Sequence, residues 1–405
     1  MMLTAEGECP QCGAPITLTD AVRLIRCSSC GVRSHIAPPR LFRFLLPAQT
    51  QKEEEGLFHV PYVRFAGSVF TCEGDDIAFR AVDVTRAGAE IPGLPPSLGM
   101  RPQAMRLAFA SPRTPGRYLP LTTKVAGILS SDGGSMPWDS TAPVYFRTVI
   151  GRTMSIVYLP VCIRGETIQD GVTGDVLGRI SGTTAFDRAV TYRPSWSPVF
   201  LPALCPDCGW ELYGDGASVV LACRNCSSAW EARQGKYVRV EAVTVPSRSM
   251  GCIHLPFWRI RASGTGKEIS DFADLLRATG TLIGSGADQG NSPIVFWAPA
   301  FHVRPKRYLR LCTSLTMYRD EIDAKTVEAA PARSVPVTMP RSEAVRTLKL
   351  TLVGVASNKR DLFPLLPGIR FRIHAAHLVY LPFFETGYDL VLEGREVAVE
   401  KRGLI

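Results

Sequence analysis

The apolar residues of this chain fall mostly in short runs, which favour β-strands over long helices. Stretches rich in proline and glycine separate these runs and predict loops at 88–102, 130–143, 280–293 and 331–340. Few segments carry a helical pattern. The predicted fold class is therefore α+β, mainly β.

The clearest helical signal covers residues 270–279. Ser270 is expected to cap this helix, Asp274 suits the positive end of its dipole, and Gly280 can end it. A second helix is predicted over residues 342–352. The β-branched residues near its end, which predict a change to strand, are Thr351, Val353 and Val355.

Several motifs recur in the same order in the two halves of the chain, at offsets of about 190 to 222 positions. His59-Val60-Pro61-Tyr62-Val63-Arg64-Phe65 recurs as His254-Leu255-Pro256-Phe257-Trp258-Arg259-Ile260. Arg117-Tyr118-Leu119-Pro120-Leu121 recurs as Arg307-Tyr308-Leu309-Arg310-Leu311. Val157-Tyr158-Leu159-Pro160 recurs as Val379-Tyr380-Leu381-Pro382. Two tandem copies of a unit of about 200 residues explain this order. The apolar and aromatic residues of these motifs are expected to form the cores, with the prolines on edge strands.

Eight of the twelve cysteines form two identical patterns of paired CxxC motifs. They are Cys9, Cys12, Cys27 and Cys30 in the first pattern, and Cys205, Cys208, Cys223 and Cys226 in the second. Within each pattern 14 residues separate the two pairs, which is enough for a short hairpin to bring four thiolates around one metal ion. The hairpins are predicted to turn at Thr19-Asp20 and at 214–216.

At these positions the sequence resembles the zinc ribbon family, through the CPxCG knuckle followed by a second CxxC. The resemblance covers about residues 7–36 and 203–232 and implies that the eight cysteines ligate two zinc ions. It implies no activity, since zinc ribbons bind nucleic acids, dock proteins or serve as structural supports. Disulfides would need an oxidising compartment, and a thioredoxin-like centre would use a single CxxC. Iron in the rubredoxin manner is disfavoured because the second knuckles lack proline, although the sequence does not exclude it.

The formal net charge of +9 is spread over both halves rather than concentrated. The densest basic cluster consists of Arg304, Lys306, Arg307 and Arg310, for which a solvated strand edge or loop is predicted. Arg23, Arg26 and Arg33 lie near the first ribbon. Residues 205–236, in contrast, hold three basic and four acidic residues, which argues against nucleic-acid binding by the second ribbon.

The remaining candidates for chemistry are few. His374 and His377 are expected to point to opposite faces of a strand, and His59 and His254 are expected to be core histidines. Cys252 and His254 are considered as a minor metal-site candidate. The four cysteines outside the ribbons are expected to be small buried hydrophobes: Cys72, Cys162, Cys252 and Cys312.

The sequence thus predicts a tandem duplication in which each copy is a zinc ribbon followed by a β-rich domain. The predicted boundaries are 1–44 for ribbon 1, 45–182 for the first β-rich domain, 183–204 for a linker, 205–236 for ribbon 2 and 237–405 for the second β-rich domain. Residues 1–9 lack a signal pattern and no apolar run is long enough to span a membrane, so a cytoplasmic location is expected. The expected function is non-enzymatic: a zinc-binding scaffold or protein-interaction subunit whose partners are other proteins. A nucleic-acid-associated protein is the alternative, and the oligomeric state is left open.

Overall fold

A computed structural model describes residues 3–37, 41–48, 56–123, 142–180, 185–247, 250–266, 269–280, 293–318, 331 and 333–404. Strands make up 47% of these described residues and helices 16%, which confirms the mainly β class. The predicted loops at 130–143 and 280–293 lie almost wholly outside the described residues. No helix in the described ranges combines the length and the apolar character that crossing a bilayer requires.

The strands divide between the two halves of the chain. Those of the first half are β1 (Thr4–Glu8), β2 (Pro15–Thr19), β3 (Leu24–Arg26), β4 (Arg33–Ala37), β5 (Phe42–Leu45), β6 (Leu57–Glu73), β7 (Asp76–Ala87), β8 (Leu107–Phe109), β9 (Arg117–Tyr118), β10 (Val144–Arg164), β11 (Thr167–Asp170), β12 (Val176–Arg179) and β13 (Val199–Pro202). Those of the second half are β14 (Leu212–Tyr213), β15 (Val220–Cys223), β16 (Ala229–Arg233), β17 (Lys236–Val240), β18 (Ala242–Thr244), β19 (Ile253–Thr265), β20 (Val295–Pro299), β21 (Arg370–Thr386), β22 (Asp389–Leu392) and β23 (Ala398–Glu400).

Most of the helical residues belong to the second half. The described α-helices are α1 (Arg101–Ala104), α2 (Phe272–Thr279), α3 (Pro305–Met317), α4 (Arg341–Arg346), α5 (Leu348–Val355) and α6 (Lys359–Leu362). Short 3₁₀ helices cover Phe186–Arg188, Pro194–Trp196, Phe363–Leu365 and Lys401–Gly403.

Each half is built around one long antiparallel strand pair. In the first half β6 pairs with β10 within a ten-stranded sheet, and in the second half β19 pairs with β21 within a six-stranded sheet. The outer neighbours also correspond, because β7 and β20 pair antiparallel with the first long strand of each pair. Hairpins β10–β11 and β21–β22 extend the second long strand in the same way.

The recurring sequence motifs pair in the same register in both sheets. Val60 lies opposite Leu159, and Leu255 lies opposite Leu381. The preceding strands β5 and β18 run parallel to β10 and β21, and each reaches the tyrosine of its motif, Tyr158 or Tyr380. These motif residues are buried, as the sequence predicted.

One of the matched motifs is not equivalent in structure. Arg117 and Tyr118 form strand β9, whereas residues 307–311 lie inside helix α3. Arg304 occupies the N-cap position of this helix and the other three basic residues lie within it, so the predicted strand edge or loop is wrong for Lys306, Arg307 and Arg310. Pro305 occupies the first helical turn, where its missing N–H is tolerated. The side chains that this helix buries recur at helical spacing: Tyr308, Leu311, Cys312 and Leu315.

The predicted helix at 270–279 is present as α2, with Asp271 rather than Ser270 as its N-cap. Asp271 and Asp274 form a reciprocal capping box, and Gly280 ends the helix with a φ of 65°. The predicted change to strand after residue 351 is wrong, because α5 continues to Val355. Burial of the apolar side chains of α5 against the helices of this half outweighs the weak strand preference of its β-branched residues.

The hydrophobic core of the second half extends into the first half, which also has separate clusters of its own. Phe70, Cys72 and Ile150 of the first half are buried in the same cluster as the helices and sheet of the second half. At this junction both backbone groups of Gly151 contact side chains of the second half. Its N–H donates to Glu343 Oε2 at 3.0 Å, and its carbonyl oxygen lies 3.1 Å from His302 Nε2. The predicted linker at 183–204 packs on the first ribbon, since β13 pairs antiparallel with β4.

Candidate metal centres

The first group of four cysteines is assembled at the ends of four strands. Cys9 follows β1, Cys12 precedes β2, Cys27 follows β3 and Cys30 precedes β4. Their sulfur atoms all lie within 4.8 Å of one another, so this group can hold a metal ion. In each CxxC the first cysteine is buried and the second is exposed, which leaves the site at the surface with one shielded side.

The second group repeats this arrangement. Cys205 and Cys223 are buried, Cys208 and Cys226 are exposed, and the four sulfur atoms again lie within 4.8 Å of one another. The two pairs are brought together by the β14–β15 hairpin, in which Leu212 lies opposite Cys223. This hairpin has the position that the sequence predicted.

The distances between sulfur atoms fit a tetrahedral metal centre. A Zn–S bond of about 2.3 Å places two sulfurs of a regular tetrahedron about 3.8 Å apart. The distance is 3.8 Å for Cys9–Cys30 and 3.7 Å for Cys12–Cys27. In the second group it is 3.6 Å for Cys205–Cys226 and 3.5 Å for Cys208–Cys223. All twelve cysteines are free thiols, so the eight here are available as ligands.

Backbone hydrogen bonds close the knuckles around the sulfurs. The N–H groups of Gly13, Gly31 and Gly209 donate to the carbonyl oxygens of Cys9, Cys27 and Cys205 over 2.9–3.0 Å. Each of these glycines has a φ between 71° and 73°, which side chains disfavour. The turn itself therefore favours a glycine after the second cysteine of a pair.

Donors aimed at the sulfurs favour the thiolate form that binds metal. Backbone N–H groups of Cys30 and Ser29 donate to the Cys27 sulfur and lower its pKa to about 6. A hydrogen bond from the Asn225 side chain lowers the pKa of Cys208. Burial acts the other way on Cys223 and raises its pKa to about 12, so the thiols of one group differ in how readily they lose a proton.

The fourth knuckle departs from the other three because Ser227 takes the place of the glycine, with a φ of 61°. A non-glycine residue in this region is strained by about 1–2 kcal/mol. We expect Ser227→Gly to raise the free energy of unfolding by about 0.5–1 kcal/mol, after the added entropy of the unfolded chain is subtracted. Urea unfolding of the zinc-loaded protein measures this, with Ser227→Ala as the control that should show no gain. An equal gain in both variants would contradict the strain argument.

The first ribbon differs from its predicted hairpin. Strands β2 and β3 do not pair with each other: β2 pairs with β1 in the large sheet, and β3 pairs with β4 in a separate three-stranded sheet. The turn between them is not a solvated tip, because Asp20 is only 1% exposed. Its carboxylate accepts hydrogen bonds from the Leu3 N–H and the Thr153 hydroxyl and pairs with Arg64.

The two ribbons pack against each other. The N–H groups of Arg23 and Leu24 donate to the carbonyl oxygen of Gly216, over 2.6 and 3.0 Å. Leu24 is buried in the apolar cluster of the second ribbon. His35 is 2% exposed and its Nε2 lies 3.0 Å from the carbonyl oxygen of Ser218, so its ring joins the first ribbon to the second.

Acid is expected to weaken this contact. Burial lowers the pKa of His35 to about 4, below the 6.5 of an exposed histidine, so between these pH values only the unfolded chain binds the proton. The stabilising effect of neutral His35 is complete above pH 6.5 and is lost as the pH falls toward 4. We expect this group alone to lower the free energy of unfolding by about 1.4 kcal/mol between pH 7.5 and 5.5.

Urea unfolding of zinc-loaded protein at these two pH values measures the effect. The control is His35→Gln, which keeps an N–H donor for Ser218 but does not titrate. Loss of zinc at low pH affects both proteins, so the difference between them reports His35. Equal losses in the two proteins would show that His35 is not the titrating group.

The other histidine and cysteine candidates are not gathered into further metal sites among the described residues. The sulfur of Cys252 lies 3.8 Å from His254 Nδ1, without a third ligand there. His59 is buried and its Nε2 lies 2.8 Å from the carbonyl oxygen of Pro115, as in a core histidine. Cys72 and Cys312 are buried as expected, whereas Cys162 and Cys252 are half-buried.

The prediction that His374 and His377 point to opposite faces is wrong, since both line one cavity of about 430 Å³. The pairing of β21 with β19 skips His374, and this bulge shifts the alternation of side chains by one position. The two rings have separate partners: His374 Nε2 lies 2.8 Å from Ser263 Oγ, and His377 Nδ1 lies 2.8 Å from Glu241 Oε2.

Sequence reasoning missed Arg64, which lies inside an apolar strand and is fully buried. Its guanidinium pairs with Asp20 of the first ribbon and makes two 2.8 Å bonds to the carboxylate of Asp83. An arginine within the apolar run of β6 was the available signal for a buried ion pair.

Comparison of this chain with protein-family models, with curated proteins and with solved structures gives no match.

Proposed function

We propose that this chain binds two zinc ions in two ribbons, each through four cysteine thiolates. The sulfur-to-sulfur distances of 3.5–3.8 Å carry this proposal, because they fit the edges of a zinc–thiolate tetrahedron. The proposed ligands are Cys9, Cys12, Cys27 and Cys30 for the first ion, and Cys205, Cys208, Cys223 and Cys226 for the second. Zinc would hold the ribbon strands in place, as it does in other small domains that lack a large core.

We further propose that the chain arose by tandem duplication of one ribbon followed by one β-rich domain. The shared register of the recurring motifs supports this, since His59 lies opposite Pro160 and His254 lies opposite Pro382. The hairpins give the same support: Gly165 and Gly387 have φ values of 59° and 58° at corresponding turns. The helices α2–α6 would then be additions to the second copy.

The proposed role is that of a non-enzymatic scaffold or protein-interaction subunit. Support comes from the mutual packing of the ribbons, which would give partner proteins a rigid surface. Part of that surface is apolar, because Leu204 and Trp210 beside the second centre are 52% and 56% exposed. Exposed apolar side chains of this size are common in surfaces that bind other proteins.

Nucleic-acid binding is the alternative, and several of its candidate residues are engaged within the chain. Arg23 donates to the carbonyl oxygens of Asp20 and Val22. Arg33 pairs with Glu211, and Arg307 pairs with Glu400. The alternative keeps three exposed cations: Arg304 at the N-cap of helix α3, and Lys306 and Arg310 within the helix.

Two binding experiments test the scaffold proposal. Filter binding of the zinc-loaded chain to DNA and RNA at increasing salt should show weak binding with a shallow slope. A steep negative slope that disappears when Arg304, Lys306 and Arg310 are all changed to Gln would favour the alternative. Affinity capture from the cells that make the protein should retain partner proteins on the wild type and lose them on Cys205→Ser. Equal capture by both would contradict a docking role for the second ribbon.

A further inference from the structure

The second group of cysteines has a hydrogen-bonded support that reaches beyond the four ligands themselves. Ser228 Oγ lies 3.0 Å from the Cys226 sulfur and 3.4 Å from the Cys205 sulfur, and the indole N–H of Trp230 donates to it over 2.8 Å. Ser228 and Trp230 are both buried, and in such surroundings hydrogen bonds are stronger than in water. A single hydroxyl therefore joins a buried ring to two proposed zinc ligands.

The chemistry of the donors and acceptors fixes the direction of each of these bonds. An indole nitrogen can only donate, so Ser228 Oγ accepts from Trp230 and keeps its own proton for another partner. A cysteine that binds metal does so as a thiolate, which has no proton to donate. The hydroxyl proton is therefore donated to a ligand sulfur, and Cys226 is the nearer of the two. Such a bond is assisted by the charge of the thiolate and belongs to the stronger class.

The Ser228 hydroxyl is held in place before any metal binds. Trp230 packs in the apolar cluster of the second ribbon, beside Leu212 and Leu221. The backbone of Ser228 is fixed as well, because its carbonyl oxygen accepts from the Cys223 N–H over 2.8 Å. A donor that is already ordered adds little entropic cost when the ion arrives. Ser228 is thus a positioning residue for the second centre.

The first centre has the same backbone at this point but a different side chain. Val32 corresponds to Ser228, because the Cys27 N–H donates to the Val32 carbonyl oxygen over 3.0 Å as the Cys223 N–H does to that of Ser228. A valine side chain carries no hydrogen-bond donor. The position that supplies a hydroxyl to the second centre therefore supplies none to the first.

The ring behind the hydroxyl is also replaced in the first ribbon. Ser34 corresponds to Trp230, since it lies opposite Ile25 in the β3–β4 pair as Trp230 lies opposite Leu221 in the β15–β16 pair. Both members of the Ser228–Trp230 support thus differ between two groups whose sulfur atoms are otherwise arranged alike. The pattern of exposure does not separate the groups, because each CxxC has one buried and one exposed cysteine.

We propose that the two centres hold zinc unequally: the Ser228 hydroxyl, held by Trp230, supports the second centre, and the first centre releases its ion first. This inference rests on the proposed binding of two zinc ions and deepens it. Loss of an outer hydrogen bond to a metal ligand typically lowers metal affinity by about 10–100-fold. The chain would then carry one permanent ion and one that exchanges with zinc in solution.

Timed exposure of the zinc-loaded chain to EDTA tests the proposal. N-ethylmaleimide, added at intervals, labels the thiols that have lost their metal, and peptide mass spectrometry identifies the centre to which they belong. The cysteines of the first centre should be labelled at least about tenfold faster than those of the second. Equal rates, or faster labelling of the second centre, would overturn the inference.

Two variants of the same shape isolate the hydroxyl. Ser228→Thr keeps it, whereas Ser228→Val has a methyl group in its place. Labelling of the second centre should be about 10–100-fold faster in Ser228→Val and should stay slow in Ser228→Thr. Ser228→Ala gives the same expectation as Ser228→Val if the larger side chains disturb folding. The matched control is Val32→Ala at the corresponding position of the first centre, which should change neither rate. Equally fast labelling in the threonine and valine variants would contradict the role of the hydroxyl.

The indole N–H of Trp230 gives a readout that a general loss of stability does not produce. Its NMR resonance is identified by its absence in Trp230→Phe, and it should be displaced in Ser228→Val while both ions are still bound. An unchanged resonance would contradict the hydrogen bond. Metal analysis of the starting samples separates this inference from the proposed function. Two ions that leave at equal rates would overturn the inference alone, whereas a chain without bound metal would overturn both.

Discussion

Changing Cys205 to Ser should reduce the zinc content from two ions to one and unfold the second ribbon. Cys205 is 3% exposed, and its sulfur lies in contact with both Cys226 and the Ser228 hydroxyl. Apparent zinc-binding free energies in small ribbons and fingers are about 10–16 kcal/mol, so the loss of one ligand should lower the free energy of unfolding by at least about 3 kcal/mol. Metal analysis and thermal unfolding of the purified variant measure both effects.

The control is Cys162→Ser, which changes a half-buried cysteine that belongs to neither group. This variant should keep two zinc ions. Two ions bound to Cys205→Ser, with an unchanged melting temperature, would show that the second group does not hold a structural metal. Leu24 and His35 of the first ribbon pack on the second ribbon. We therefore also expect a protease to cleave the first ribbon faster in Cys205→Ser than in the wild type.

Changing Arg64 to Met should destabilise the fold by about 3–5 kcal/mol. Arg64 and Asp20 are both buried, and the arginine also binds Asp83 through two hydrogen bonds of 2.8 Å. Removal of the guanidinium leaves the Asp20 carboxylate in the core without its cation, and this desolvated charge is the main source of the loss. Urea unfolding of the zinc-loaded protein gives the magnitude.

Two comparisons make this prediction specific. Arg106→Met removes an exposed ion pair with Glu6, whose side chains are 86% and 65% exposed, and should change the free energy of unfolding by less than about 0.5 kcal/mol. The double variant Arg64→Met with Asp20→Asn should recover part of the loss, since it removes the stranded charge. A loss of the same size in Arg106→Met, or no recovery in the double variant, would contradict the buried-network account.

The two four-cysteine groups could be predicted from the sequence because their signal is local. A CxxC turn followed by glycine specifies its own backbone, and the φ values of Gly13, Gly31 and Gly209 match that requirement. The spacing of 14 residues is long enough to return the second pair to the first, whether through the hairpin β14–β15 or through the separate strands β2 and β3. Four sulfurs within 4.8 Å in each group are the observed result.

The pairing of the first ribbon could not be predicted in the same way, because it depends on distant residues. Asp20 looked like a turn residue, yet Arg64 and Thr153 draw its side chain into the core, and β2 joins a sheet formed by later strands. The basic residues around Arg307 suggested exposure, which obscured the helical spacing of the apolar residues between them. A single bulge at His374 reversed the expected direction of a side chain.

Metal analysis of the intact purified chain tests the central claim most directly. The protein should carry two zinc ions, and the eight ribbon thiols should resist a thiol reagent until a chelator removes the metal. A chain that folds with no bound metal, or whose ribbon cysteines are joined as disulfides, would contradict the account.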